Sequence, residues 1–128
     1  MEAREYREYT VDLGLFEAVE RLVDVNEQRF KTAKLVIFGC GKTGRLVAEI
    51  LQKLDRSIYG YIDNDVEKQE VEINSYCVYP PAVLDTADDF QIIVGSLQQK
   101  VCREITEQLE EKGYCREENY HLLEFDAD

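Results

Sequence analysis

Residues 34–65 read KLVIFGCGKTGRLVAEILQKLDRSIYGYIDND. The opening apolar run, Leu35-Val36-Ile37-Phe38, is too short for a helix and rich in β-branched and aromatic residues, so it predicts a buried strand. Gly39, Gly41 and Gly44 follow at once in the spacing G-x-G-x-x-G. Leu46, Val47, Ile50, Leu51 and Leu54 then recur at helical spacing. A second strand, residues 57–62, ends at Asp63, nineteen residues after Gly44. Strand, glycine turn, helix, strand and acid in that order form the fingerprint of a dinucleotide-binding βαβ unit.

Each part has a physical reason. Gly39 lets the chain turn sharply out of the strand, Gly41 removes the Cβ that would hold a phosphate off the backbone, and Gly44 lets the helix pack close to the sheet. The helix start, with unpaired N–H groups and a positive dipole end, faces the phosphates. Cys40, Lys42 and Thr43 complete the loop, and Lys42 and Arg45 are the local cations that would offset an acidic surface. Gly41-Lys42-Thr43 imitates the end of a P-loop, but that motif requires glycine where Val36 stands. The loop is also similar to that of S-adenosylmethionine methyltransferases, which carry an acid just before it; here the position is Phe38.

The 128 residues suit one domain and one core. Fifteen basic against 27 acidic residues give a formal charge of −12, which repels nucleic acid and anionic membranes. No apolar run reaches membrane-spanning length, and the N-terminus MEAREYREYT is no signal peptide, so a cytoplasmic protein without membrane insertion is expected. Cys40, Cys77, Cys102 and Cys115 form no C-x-x-C pair and the single histidine is His121, so no metal site is expected. Cys77 and Cys102 fall on apolar positions and are expected in the core. Cys40 lies near a helix N-terminus, which can lower a thiol's pKa, and is expected to have no catalytic role. His121 is expected at the surface or on an edge strand.

Along the chain, residues 1–10 are expected to fray, and Thr10 or Asp12 to cap a helix running to about Lys31. Tyr6, Tyr9 and Phe16 are expected first to pack on the core, and they also make that helix a candidate homodimer contact. Residues 64–75 are charged and without period, and predict a loop. Residues 76–79 predict a short strand, stopped by Pro80-Pro81, and a short helix follows to about Thr86. Residues 90–94 predict a buried strand ending at Gly95-Ser96, 98–112 a helix closed by Gly113, and 120–123 a last strand. The expected fold is α/β, a Rossmann-like three-layer sandwich with a mostly parallel five-stranded sheet in the order 3-2-1-4-5 and an extra N-terminal helix. Its parts are an N-terminal helical segment (1–33), the nucleotide-binding domain (34–124) and an acidic tail (125–128). The strand order reverses beside the first strand, so Gly39, Cys40, Gly41, Lys42, Thr43, Gly44, Asp63, Asn64, Gly95 and Ser96 are expected to share one crevice.

The runs Val-Ile-Phe-Gly-x-Gly-x-x-Gly-Arg, Tyr-Gly-Tyr-Ile-Asp-Asn-Asp, Tyr-x-Val-Tyr-Pro-Pro, Asp-Asp-Phe-x-Ile-Ile-Val-Gly-Ser and Glu-Lys-Gly-Tyr together carry a family resemblance. They resemble the Rossmann-like nucleotide-sugar-binding domains at the N-termini of bacterial sugar acyltransferases. They are also similar to the domain preceding the catalytic part of nucleotide-sugar dehydratases, and to modules beside polysaccharide-pathway glycosyl- or methyltransferases. The likeness spans residues 34–123. It implies that Gly39 to Gly44 cradle a diphosphate, that Asp63 or Asn64 contacts the base or ribose, and that Gly95-Ser96 line the far wall. The chain departs from the pattern at Asn74, where glycine is usual, and no catalytic domain is expected within these 128 residues, whether they stand alone or form a domain of a longer enzyme. The expected ligand is a nucleotide sugar such as a UDP-sugar, or NAD(P), bound without chemistry. The alternatives are an NAD(P)-dependent oxidoreductase or a fragment of one, for which no Tyr-x-x-x-Lys pair exists, and a cofactor-sensing or assembly module.

Overall fold

The computed structural model describes the backbone of residues 3–125 and the side chains of residues 14–125. The first strand, β1 (Lys34–Phe38), shows why the rest assembles around it. Leu35 and Ile37 enter one apolar cluster and Val36 and Phe38 the other, so both faces of the strand are buried. A strand covered on both sides needs helices above and below, and the chain supplies them. On one face lie α1 (Ala3–Val25), α2 (Glu27–Thr32) and α3 (Lys42–Lys53). On the other lie a 3-10 helix (Pro81–Asp85) and α4 (Gln99–Glu111). The fully buried Val47 and Leu51 of α3 each contribute about 1.5–3 kcal/mol by leaving water.

Six strands make one mostly parallel sheet in the order β3-β4-β2-β1-β5-β6, with β2 Gly60–Ile62, β3 Glu72–Ile73, β4 Tyr76–Tyr79, β5 Phe90–Val94 and β6 Tyr120–His121. The order differs from the expected five-stranded one by an added edge strand: without β3 the rest run 3-2-1-4-5. β3 pairs antiparallel with β4 through a two-residue turn, Asn74-Ser75, with φ of 54° and 70°. Such a turn needs two left-handed residues, and asparagine tolerates that conformation better than most. Asn74 therefore serves where the pattern has glycine, and part of the expected loop becomes a hairpin.

The N-terminal helix also differs from expectation. α1 begins at Ala3, so Thr10 and Asp12 lie within it and residues 3–10 are helical. The side chains of Tyr6 and Tyr9 lie outside the described residues. Leu15, Val19 and Val23 pack into the cluster with β1 and α3. The helix does not run unbroken to Lys31. At Asn26 the side-chain Nδ2 and the backbone N–H both donate to the Leu22 carbonyl, at 2.9 and 3.0 Å, and α2 restarts beyond it. Side-chain competition of this kind bends helices.

Candidate functional site

The register lines up the carboxyl ends of three strands. Phe38 pairs with Ile62 on one side and with Val94 on the other. The next residues are Gly39, Asp63 and Gly95, which therefore lie level. Gly39 N–H donates to the Ile62 carbonyl at 2.6 Å and Gly95 N–H to the Phe38 carbonyl at 2.8 Å. β1 is also where the sheet reverses, since the chain runs to β2 and β4 on one side and to β5 and β6 on the other.

Three glycines close-pack at this point. Gly39 turns with φ +110°. A Cβ on Gly44 would lie 1.9 Å from the Gly39 carbonyl oxygen, and one on Gly95 would lie 2.8 Å from the same atom and 3.0 Å from the Gly44 Cα. Gly44 and Gly95 are thus required by packing. Gly41 is different: a Cβ there would meet nothing within 4 Å. It occupies the N-cap of α3 and offers no side-chain acceptor, so the first N–H groups of the helix carry no side-chain cap. Beside this turn runs a groove of about 200 Å³ lined by Lys42, Arg45, Leu46, Glu49 and Asn74. Lys42 is exposed, and Arg45 Nε donates to the Gly41 carbonyl at 3.3 Å. Thr43 is half-buried.

Asp63 is held by the loop itself. Its Oδ2 accepts the Cys40 N–H at 3.0 Å and the Cys40 thiol at 3.2 Å, and its Oδ1 accepts the Asp65 N–H at 2.9 Å. Gln69 Nε2 donates to the Asp63 carbonyl at 2.9 Å. Burial pushes the Asp63 carboxyl up, but the hydrogen bonds from Cys40 N–H, Asp65 N–H and the Cys40 thiol, with the charge of Lys68, outweigh it and hold the carboxyl below its ordinary value. Cys40 responds oppositely. Burial, then the hydrogen bond to Asp63 and its negative charge, push the thiol up to about 11. Burial and the adjacent carboxylate thus outweigh the lowering that a helix N-terminus can bring.

Asn64 and Ser96 point to other partners. Asn64 and Gln108 of α4 exchange two amide hydrogen bonds, at 2.8 and 2.9 Å. Ser96 Oγ accepts the Gln98 N–H at 3.1 Å ahead of α4, and its carbonyl accepts the Cys102 thiol at 3.2 Å. The crevice thus brings together Gly39 to Gly44, Asp63 and Gly95, while Asn64 and Ser96 serve the start and flank of α4. The Cys40–Asp63 clasp and the contribution of Gln69 escaped the sequence reading, since no spacing rule marks a side chain that bonds to a loop amide 23 residues back.

The histidine lies on an edge strand, as expected, while the exposure of Cys77 differs from expectation. All four cysteines are free; Cys77 is exposed and so is not a core residue, whereas Cys102 is half-buried and packs against the apolar cluster on its face of the sheet. Cys77 projects from β4 beside its turn, on the side of the strand opposite Val78, which is buried. His121 is on the edge strand β6 but is only 2% exposed. Its Nε2 lies 2.7 Å from Gln91 Oε1, and its ring meets Phe30 edge-on at 5.3 Å. Among the described residues, no group of three His, Cys, Asp or Glu side chains could hold a metal ion, and no helix is long and apolar enough to cross a membrane.

Among solved structures, the chain is similar to UDP-D-quinovosamine 4-dehydrogenase from Vibrio fischeri, at 21% identity and a TM-score of 0.52, over 62% of this chain and 70% of that one. A likeness at that identity concerns the fold alone. No curated protein matches the chain. The profile of the C2185-like N-terminal family matches residues 31–119, from the end of α2 to the start of β6 and more than half of the sequence, and the chain belongs to that family.

Proposed function

We propose that the chain is a nucleotide-binding module, that its ligand is a nucleotide sugar of the UDP-sugar type, and that it serves bacterial surface polysaccharide or glycan metabolism without catalysis of its own. The observation that carries this reading is the N-terminus of α3, which lacks a side-chain cap and opens at Gly41 onto empty space beside the reversal of strand order. Backbone donors and a positive dipole end at such a place suit a diphosphate. Lys42 and Arg45 flank the opening and offset the acidic surface locally. The fold neighbour has a UDP-sugar in its name, which favours that class among nucleotides.

NAD(P) is the second reading, favoured by the neighbour's name as a dehydrogenase. Asp63 weighs against it. In a dinucleotide site the acid after the second strand receives ribose hydroxyls, whereas here one carboxylate oxygen already accepts two donors from Cys40. A homodimer through α1 would have to use the side of the helix away from Leu15, Val19 and Val23. A cytoplasmic location accords with a nucleotide-sugar ligand.

The test is a thermal-shift series with UDP-sugars, NAD(H), NADP(H), coenzyme A and S-adenosylmethionine. At about 100 times its Kd, a specific ligand adds about 2.7 kcal/mol of stability. A UDP-sugar should produce that shift, and Gly41→Val should lose it while unfolding at the wild-type temperature, because the new side chain projects into open space. Stabilisation by NAD(P) alone would establish the second reading. No response to any nucleotide would overturn both.

A further inference from the structure

A second cavity, of about 530 Å³, lies between the α1–α2 corner and β6 and shares no residue with the glycine loop. Its volume is in the range of small-molecule sites. Its walls come from segments 88 and 103 residues apart, joined where Arg29 donates to the Glu117 carbonyl and Arg21 to the Glu124 carbonyl. Three of the chain's 15 basic residues, Arg21, Arg29 and Arg116, converge here in a protein of formal charge −12.

Arg29 and Arg116 are anchored and still have donors to give. Arg29 uses Nη1 for the Glu117 carbonyl at 2.7 Å and for Asn26 Oδ1 at 3.4 Å. Its Nε and Nη2 have no partner among the described residues, and this is the edge of the fork that receives an oxyanion side-on. Arg116 pairs with Glu124 at the rim. His121 lies in the wall as a buried acceptor. Gln91 Nε2 donates to the Glu118 carbonyl at 3.0 Å, which turns Gln91 Oε1 toward His121 and makes His121 Nε2 the protonated nitrogen. Nδ1 is then an imine nitrogen with no partner among the described residues. Leu22 and Val25 add apolar surface, and Val25 is 77% exposed.

We propose that this cavity binds a small organic oxyanion, a carboxylate or phosphate monoester on a compact apolar body, with the anion on Arg29 and Arg116 and the body against Leu22. A hydroxyl or N–H on that body would answer the acceptor nitrogen of His121. The site is separate from the nucleotide crevice and stands whether or not that crevice is filled.

The full chain is titrated at fixed ionic strength with 4-hydroxybenzoate and with phenyl phosphate, and the His121 ring and arginine side-chain resonances are followed by NMR. Benzamide and inorganic phosphate are the controls. At least one organic anion should give saturable shifts at His121 and Arg29, with a Kd of about millimolar order for so small a ligand. Which of the two binds distinguishes carboxylate from phosphate. Arg29→Gln should weaken binding by about tenfold or more, since it removes a charged fork. If that variant fails to fold, Arg116→Gln, on an exposed turn, carries the comparison. The absence of saturable shifts, unchanged affinity in the folded variants, or equal binding of benzamide or of inorganic phosphate would overturn the proposal.

Discussion

Asp63→Asn isolates the clasp between the end of β2 and the glycine loop. The wild-type carboxylate accepts three donors, Cys40 N–H at 3.0 Å, the Cys40 thiol at 3.2 Å and Asp65 N–H at 2.9 Å. An asparagine keeps one acceptor oxygen and turns an NH₂ toward donors that it cannot satisfy. Each hydrogen bond to a charged group contributes about 1.5–3 kcal/mol, and the partly exposed carboxylate and the weak thiol donor reduce the sum, so a net loss of about 2–3 kcal/mol is expected. For a chain of this size that corresponds to a fall in Tm of roughly 6–15 °C. The pH dependence has a definite sign. The folded carboxyl lies below its ordinary value of 3.8, so the stabilisation is complete above that pH and is lost as pH falls through the folded value. Urea unfolding followed by circular dichroism at pH 7 and at pH 3 should therefore show a large gap between wild type and variant at pH 7 and a smaller one at pH 3. A variant within about 0.5 kcal/mol of wild type at pH 7, the ordinary range for surface substitutions, would refute the clasp.

Three further outcomes follow from the same geometry. Gly44→Ala places a Cβ at 1.9 Å from the Gly39 carbonyl oxygen, and should cost about 3 kcal/mol or more, or prevent folding, as read by denaturant midpoint. His121, held neutral by burial and by the charge of Arg29 with a pKa of about 4, should make the protein lose stability steadily as pH falls from about 6.5 toward 4, because only the unfolded chain takes up the proton; His121→Gln should flatten that part of the stability–pH curve. Purified protein incubated with UDP-sugars or NAD(P)H should form no product, since the Cys40 thiol stays protonated and Asp63 is engaged by the loop; a rate abolished by Cys40→Ser would contradict this.

What could be read from the residues was local. The apolar run at 35–38, the glycine spacing and the proline pair each act within a few residues, and they placed β1, α3 and the 3-10 helix close to where they lie. The Schellman closure of α4 was equally legible: Gly113 takes φ +91° and Tyr114 N–H reaches the Leu109 carbonyl. The same closure ends α3 at Asp55, φ 58°, with no glycine to announce it. Illegible features depended on distant partners or on exceptions to propensity. His121 is buried because Gln91, thirty residues earlier, supplies an acceptor on the neighbouring strand. The hairpin at Asn74-Ser75 lies inside a charged stretch whose side chains give no alternation. The bonds from Cys40 and Asp65 to Asp63 are illegible for the same reason, because the spacing rule describes position along the chain and is silent on which way a carboxylate turns.

The protonated, buried Cys40 thiol has a chemical fate separate from that of the exposed Cys77 and Cys115. Alkylation and oxidation proceed through the thiolate, and a thiol with a pKa of about 11 supplies almost none at neutral pH. Cys77 and Cys115, both exposed, are open to an electrophile or a peroxide that leaves Cys40 intact. Cys40 reacts only after the loop parts from Asp63 and water enters. Its modification rate therefore reports how often the mouth of the sheet opens, on a chain that needs no added label.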